Sequence, residues 1–122
     1  MSILIVDDSQ IMRAVLKDII VGNTQIPPED IEEADGGTEA IKKYKANKPD
    51  LVFLDIIMPD IEGTDVVKEL IKIDPAAKIV MCSYSSDAED AQVCFEAGAK
   101  GYIFKPPKPD EVKAAISAVL GK

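Results

Sequence analysis

Apolar residues in this chain come in short blocks, and polar residues separate the blocks at regular intervals. Ser2–Val6, Leu51–Leu54, Lys78–Cys82 and Gly101–Phe104 read as buried strands. Three of them are almost continuously apolar, as expected of parallel strands covered on both faces. A fifth, weaker run is Ile31–Ala34. Between these runs lie segments with helical period. In Gln10–Val21, Ile11, Val15 and Ile19 recur every fourth residue, as do Met12, Leu16 and Ile20. Ser9 suits the N-cap of this helix, and Gly22 suits its C-terminal stop. Thr38–Lys45 gathers Ala40, Ile41 and Tyr44 on one side, and Thr64–Ile73 does the same with Val67, Leu70 and Ile71. Ala88–Ala97 ends at Gly98. Pro109–Leu120 begins with proline at its first position, and Asp110 and Glu111 come next, where acids suit the helix dipole.

Strand and helix alternate five times. That order predicts parallel strands joined by right-handed crossovers, hence an α/β fold with helices on both faces of one sheet. Pro27-Pro28 and Pro106-Pro107 mark loops. No repeat, linker or low-complexity segment interrupts the pattern, so residues 1–122 read as a single domain.

Composition changes this picture little. With 47% apolar and 30% charged residues the chain has the mix of a soluble domain. Its apolar runs fall far short of the roughly 20 residues that span a bilayer. Met1–Asp8 lacks the basic start and small-residue cleavage site of a signal peptide, which predicts a cytoplasmic protein. Met1 and the polar Gly121-Lys122 end suit a stand-alone chain. A net charge of −8 disfavours nucleic acid and anionic membranes as direct partners. Cys82 and Cys94 each lie in an apolar segment and read as reduced core thiols. The chain has no histidine. That excludes Ser-His-Asp and Cys-His catalysis, most zinc sites and any histidine phosphocarrier role.

The residues with chemistry stand at the carboxyl ends of the strands. The first strand runs into Asp7-Asp8, the third into Asp55, the fourth into Ser83 and the fifth into Lys105. In an open parallel sheet the carboxyl ends share one edge, and ligands bind there. Three carboxylates, a hydroxyl and an ammonium should therefore converge. Close carboxylates repel, and a divalent cation relieves the repulsion. A donor set of hard oxygens favours Mg²⁺, or Mn²⁺ in its place, over zinc or copper. Mg²⁺ takes few protein carboxylates and leaves positions open for phosphoryl oxygens. Asp55 can then serve as an in-line nucleophile, with Mg²⁺, Lys105 and the Ser83 hydroxyl each holding one phosphoryl oxygen. Each of these residues alone has a plainer reading, such as a helix cap, a loop start or a solvated charge. Their joint placement at four strand ends is what points to phosphoryl transfer.

At these residues the chain resembles the receiver domains of two-component response regulators, most closely the stand-alone chemotaxis type. The resemblance spans essentially all 122 residues. It rests on Ile-Leu-Ile-Val-Asp-Asp at 3–8, Leu-Asp-Ile-Ile-Met-Pro-Asp-Ile-Glu-Gly at 54–63, Ser83, and Ala-Gly-Ala-Lys-Gly-Tyr-Ile-Phe-Lys-Pro at 97–106. It implies a five-stranded sheet in the order 2-1-3-4-5, for which a chemotaxis receiver is itself a standard example. It implies Asp55 as phosphoacceptor, and Asp7 and Asp8 as the acidic pair that positions Mg²⁺ with Asp55, directly or through water. The backbone carbonyl of Ile57 is implied as a further metal ligand, Lys105 as the phosphate-binding lysine and Lys105–Pro106 as a cis bond. Ser83 and Tyr102 are implied as the switch pair. In the family's mechanism the hydroxyl residue moves toward the phosphoryl group, the aromatic turns into the vacated space, and the face of helix 4, strand 5 and helix 5 is reshaped.

The resemblance also implies partners. A histidine kinase supplies the phosphoryl group, and the output is a protein target, for a chemotaxis receiver a flagellar motor switch or an adaptor, bound by a largely monomeric chain. Ser-Gln-Ile-Met-Arg at 9–13 favours chemotaxis over a phosphorelay carrier. Three positions depart from the common pattern: Ser83 in place of threonine, Pro107 where an aromatic often stands, and Glu62 where Asp or Asn is frequent. None removes a required group. Ile57 and Tyr84 flank the expected acceptor pocket and are expected to hinder water and lengthen the life of a phosphoryl group. Three rivals are weaker. An aspartyl phosphatase wants a second Asp two residues after the nucleophile, where this chain has Ile57. A flavin carrier wants a phosphate loop where Asp7-Asp8 would repel one. A phosphate-independent binding module would usually have lost one of the key residues, and none is lost.

Overall fold

The computed structural model describes residues 1–121. Five strands and five α-helices alternate: β1 (Ile3–Val6), α1 (Gln10–Asn23), β2 (Ile31–Ala34), α2 (Gly37–Asn47), β3 (Leu51–Leu54), α3 (Gly63–Ile73), β4 (Ile79–Ser83), α4 (Ala88–Ala97), β5 (Gly101–Phe104) and α5 (Pro109–Leu120). One 3₁₀ turn, Pro28–Asp30, leads into β2. The sheet is parallel throughout, in the order β2-β1-β3-β4-β5.

Strand pleating sorts the core into two layers. Leu4 and Val6 of β1, Val52 and Leu54 of β3, and Ile79 and Met81 of β4 pack under α2, α3 and α4 with Tyr44, Val67, Leu70 and Cys94. Ile3, Ile5, Leu51, Phe53, Val80, Cys82 and Ile103 pack on the other face under α1 and α5 with Leu16, Ile20, Val112 and Ile116. Alternation sends successive side chains to opposite faces, so a strand covered on both sides must be apolar at every position. β1, β3 and β4 are buried at every residue for this reason. Burying each such side chain contributes about 1.5–3 kcal/mol.

Several boundaries differ from the sequence expectation. β1 begins at Ile3 rather than Ser2, and β4 runs Ile79–Ser83, so Ser83 is the last residue of the strand rather than the first of the loop. Gly22 is not the stop of α1. The helix continues to Asn23, where the Asn23 side chain donates to the Ile19 carbonyl and the Thr24 hydroxyl donates to that of Ile20. Side chains satisfy the orphan carbonyls there, and no glycine is needed. α2 runs from Gly37 to Asn47, past both expected ends, and Lys48 caps it at φ 40°. Of the two stripes on α1, Leu16 and Ile20 are buried while Ile11 and Val15 are exposed. Other signals hold. The Ser9 hydroxyl accepts from the Met12 N–H at 3.2 Å, and α4 ends at Gly98 with φ 125°. Both cysteines are buried and unpaired.

Candidate functional site

The carboxyl edge of the sheet is built by letting each strand's ladder run one residue past its end. Asp7 donates its N–H to Ala34 (3.1 Å), Asp55 to Val6 (3.1 Å) and Lys105 to Ser83 (2.7 Å). Three residues outside the strands are thus anchored as firmly as strand residues. Val6 is in register with Leu54, so Asp7 and Asp55 emerge side by side from neighbouring strands. Lys105 leaves β5, two strands away from β3, and must reach past β4. Its long side chain spans that gap. Pleat parity places Asp7, Asp55 and Lys105 in phase with Ile5, Phe53 and Ile103, all on the α1/α5 face. Ser83 is in phase with Met81, and Tyr102 packs against the same layer under α4.

Lys105 Nζ donates to Asp7 Oδ2 at 2.5 Å and to Asp55 Oδ2 at 3.0 Å, in a pocket that leaves the lysine 3% exposed. One oxygen each of Asp7, Asp8 and Asp55 lies within 4.8 Å of the others, with Asp7 and Asp55 buried and Asp8 exposed. Asp7 Oδ1 accepts from the Ser9 N–H (2.9 Å), and Asp55 Oδ1 accepts from the Ile57 N–H (3.4 Å). Burial pushes the Asp55 carboxyl above its ordinary value, although Lys105 pulls it down. Burial pulls the Lys105 ammonium down, but its bonds to Asp7 and Asp55 outweigh this and hold it above its ordinary value. Three formal negative charges face one positive charge. The remaining two, all on hard oxygens, fit one divalent cation such as Mg²⁺. Asp8 is the exposed carboxylate of the three, whereas both oxygens of Asp7 and both of Asp55 already accept hydrogen bonds.

Ser83 is buried, and its hydroxyl accepts from the Ser85 N–H at 3.3 Å. Tyr102 donates its hydroxyl to the Ser85 carbonyl at 2.7 Å. The loop after β4 therefore ties the two expected switch residues together through Ser85. Burial raises the Tyr102 phenol above its ordinary value. The Lys105–Pro106 bond is cis. For Ile57 the bond formed is that of its N–H to Asp55, and its side chain is 71% exposed at the rim.

Two residues shape the site without having been singled out by sequence. Arg13 donates to the Asp7 carbonyl (2.6 Å) and to Glu33 (3.0 Å), holding the Asp7-Asp8 turn against α1. Asp60 accepts from the N–H groups of Gly37 (3.0 Å) and Thr38 (2.9 Å), so the loop after β3 caps α2. These bonds hold its carboxyl well below the usual carboxylate range. The capping signal was invisible because Asp60 lies 22 residues from Thr38, in the first turn that it caps.

A parallel sheet in this order, with three carboxylates and a bridging lysine at its carboxyl edge, is the architecture of a phosphorylation switch. The response regulator receiver domain family matches residues 3–117, and the chain belongs to that family. It is similar to the chemotaxis protein CheY of Thermotoga maritima, at 46% identity over 96% of this chain and 95% of that one. It is also similar to CheY of Bacillus subtilis, at 43% identity over 97% and 96%. Among solved structures, the CheX-CheY-BeF₃-Mg²⁺ complex from Borrelia burgdorferi superposes with a TM-score of 0.88, at 30% identity over 99% of this chain and 90% of that one.

Proposed function

We propose that this chain is a single receiver domain that accepts a phosphoryl group on Asp55 from a histidine kinase, in a Mg²⁺-dependent step, and signals by binding a downstream protein in chemotaxis. The observation that carries the reading is the Lys105 ammonium held between Asp7 and Asp55 beside the exposed carboxylate of Asp8. An Asp55 oxygen forms the new bond to phosphorus while the bond from phosphorus to the donor breaks, and the donor leaves with the electron pair. Bound Mg²⁺ supplies positive charge to the phosphoryl oxygens. Asp7, Asp8 and Asp55, with the Ile57 carbonyl, would hold the ion, directly or through water, and Asp7 would also orient Lys105. Lys105 and the Ser83 hydroxyl would take the other two phosphoryl oxygens, so the chain promotes its own phosphorylation and dephosphorylation without being a turnover enzyme. Tyr102 would report the event on the α4-β5-α5 face through its bond to Ser85. The CheY relatives support chemotaxis, and the Borrelia burgdorferi neighbour, a complex with CheX and Mg²⁺, supports both the ion and a protein partner.

The test is intact-mass spectrometry after mixing the protein with Mg²⁺ and a small acyl-phosphate donor, beside Asp55→Asn. The expected result is a gain of one phosphoryl group that requires both Mg²⁺ and Asp55. A gain that survives Asp55→Asn would overturn the assignment of the acceptor.

A further inference from the structure

At the mouth of the pocket stands a side chain that the phosphoryl-transfer scheme does not use. Tyr84 comes directly after Ser83, is 62% exposed, and has its ring centroid 5.2 Å from Lys105 Nζ. An exposed aromatic on a loop has no packing reason to sit over a buried ammonium. The negative face of the ring gives it one, because a cation within about 6 Å of the centroid is attracted to it. The ammonium is thus held by Asp7, by Asp55 and by the Tyr84 ring. When Asp55 accepts a phosphoryl group, the carboxylate oxygen that holds Lys105 changes its partners. The ring contact does not depend on that oxygen.

We propose that Tyr84 is a positioning residue for Lys105: its ring keeps the ammonium aimed at the phosphoryl oxygens while Asp55 is being modified. This rests on the reading of Asp55 as acceptor. It assigns the effect to the ring face, not to the phenol hydroxyl or to bulk.

Three substitutions separate these. Tyr84→Phe keeps the ring, Tyr84→Leu keeps bulk without a ring, and Tyr84→Ala removes both. Loading of Asp55 by a small acyl-phosphate donor with Mg²⁺ is measured by intact mass. In parallel, the ring-current shift of the Lys105 ε-methylene protons is measured by NMR on the unmodified proteins. Tyr84→Phe should load at the parent rate and keep the ring-current shift. Tyr84→Leu and Tyr84→Ala should both load about two- to fivefold more slowly, the factor expected from losing one exposed cation–π contact, and both should lose the shift. Parent-like loading by Tyr84→Leu would show that bulk suffices and overturn the proposal. A slow Tyr84→Phe would assign the effect to the hydroxyl and overturn it equally. If the parent itself takes no phosphoryl group, the acceptor reading fails first, whatever the NMR shift, and the role assigned to Tyr84 falls with it.

Discussion

A β-carbon placed on Gly63 would stand 2.1 Å from the carbonyl oxygen of Asp55. The first turn of α3 is laid directly on the backbone of Asp55, and the Gly63 N–H donates to the Ile56 carbonyl at 2.6 Å. Only a residue without a side chain allows that approach. Gly63→Ala should therefore push α3 off the loop that follows Asp55. Overpacking typically costs about 1–3 kcal/mol, and a clash with backbone belongs at the upper end. A urea midpoint within error of the parent would show that the loop shifts at no cost.

Asp60 gives a pH signature. Its folded-state pKa is depressed by the Thr38 and Gly37 N–H groups. A depressed carboxylate contributes stability that is present above its ordinary value of 3.8 and is lost as pH falls below it. The stability gap between the parent and Asp60→Ala should be constant near neutrality and shrink on acidification below about pH 4. Urea titrations at pH 7 and pH 3 measure it, and an equal gap at both would refute the cap.

Mg²⁺ should stabilise the fold through Asp8. A ligand that binds only the folded state at ten times its Kd adds about 1.4 kcal/mol. Asp8→Asn should abolish that increment and leave metal-free stability unchanged or higher, because one of three mutually repelling carboxylates is gone. Thermal unfolding with and without the ion decides this. An undiminished Mg²⁺ increment in Asp8→Asn would place the ion elsewhere.

Two buried protons contribute to the alkaline limb. Burial, then the Asp74 charge and hydrogen bond, pushes the Tyr44 phenol up from 10.0 to about 12. Burial pushes the Cys82 thiol from 9.0 to about 12. A raised folded-state pKa contributes stability present below the ordinary value and lost as pH rises toward the folded one. Stability should fall between about pH 9 and pH 12. The fall should begin later in Cys82→Ala and be shallower in Tyr44→Phe. A stability plateau across that range would contradict both assignments.

Ile57 and Tyr84 are both exposed large side chains at the Asp55–Lys105 pair: the Ile57 N–H donates to Asp55, and the Tyr84 ring lies over Lys105 Nζ. They should slow the arrival of water at an Asp55 acyl phosphate. Ile57→Ala, which leaves the Tyr84 ring in place, should shorten the phosphoryl half-life by a few-fold, on the order of 0.5–1 kcal/mol in barrier. Decay monitored by intact mass after donor removal tests it, and an unchanged half-life would rule out shielding by Ile57.

Strand identity was legible in the sequence because short apolar runs have no other stable use in so short a chain, but the fourth run expected to be buried, β5, buries only Ile103 and leaves Phe104 exposed at the sheet edge. Helix ends were less legible. At Gly22 a common stop signal lost to the Asn23 and Thr24 side chains, which satisfy the same carbonyls. Ile11 and Val15 have a periodicity as good as that of Leu16 and Ile20, yet they face outward, because two stripes cannot both lie on the one face that meets the sheet.

By itself the sequence determined which residues could do the chemistry. A chain without histidine whose strand ends are Asp7-Asp8, Asp55, Ser83 and Lys105 has one coherent use for them, because parallel strands bring their carboxyl ends to one edge. Tertiary structure decided how they share the work. Register set Asp7 beside Asp55, the pleat parted that pair from Ser83 and Tyr102, and strand order made Lys105 reach across β4. The roles of Arg13, Asp60 and the Tyr84 ring depend on contacts between segments up to 23 residues apart in sequence. Local pattern cannot carry such contacts, because their energy exists only once the chain has closed the loops between them.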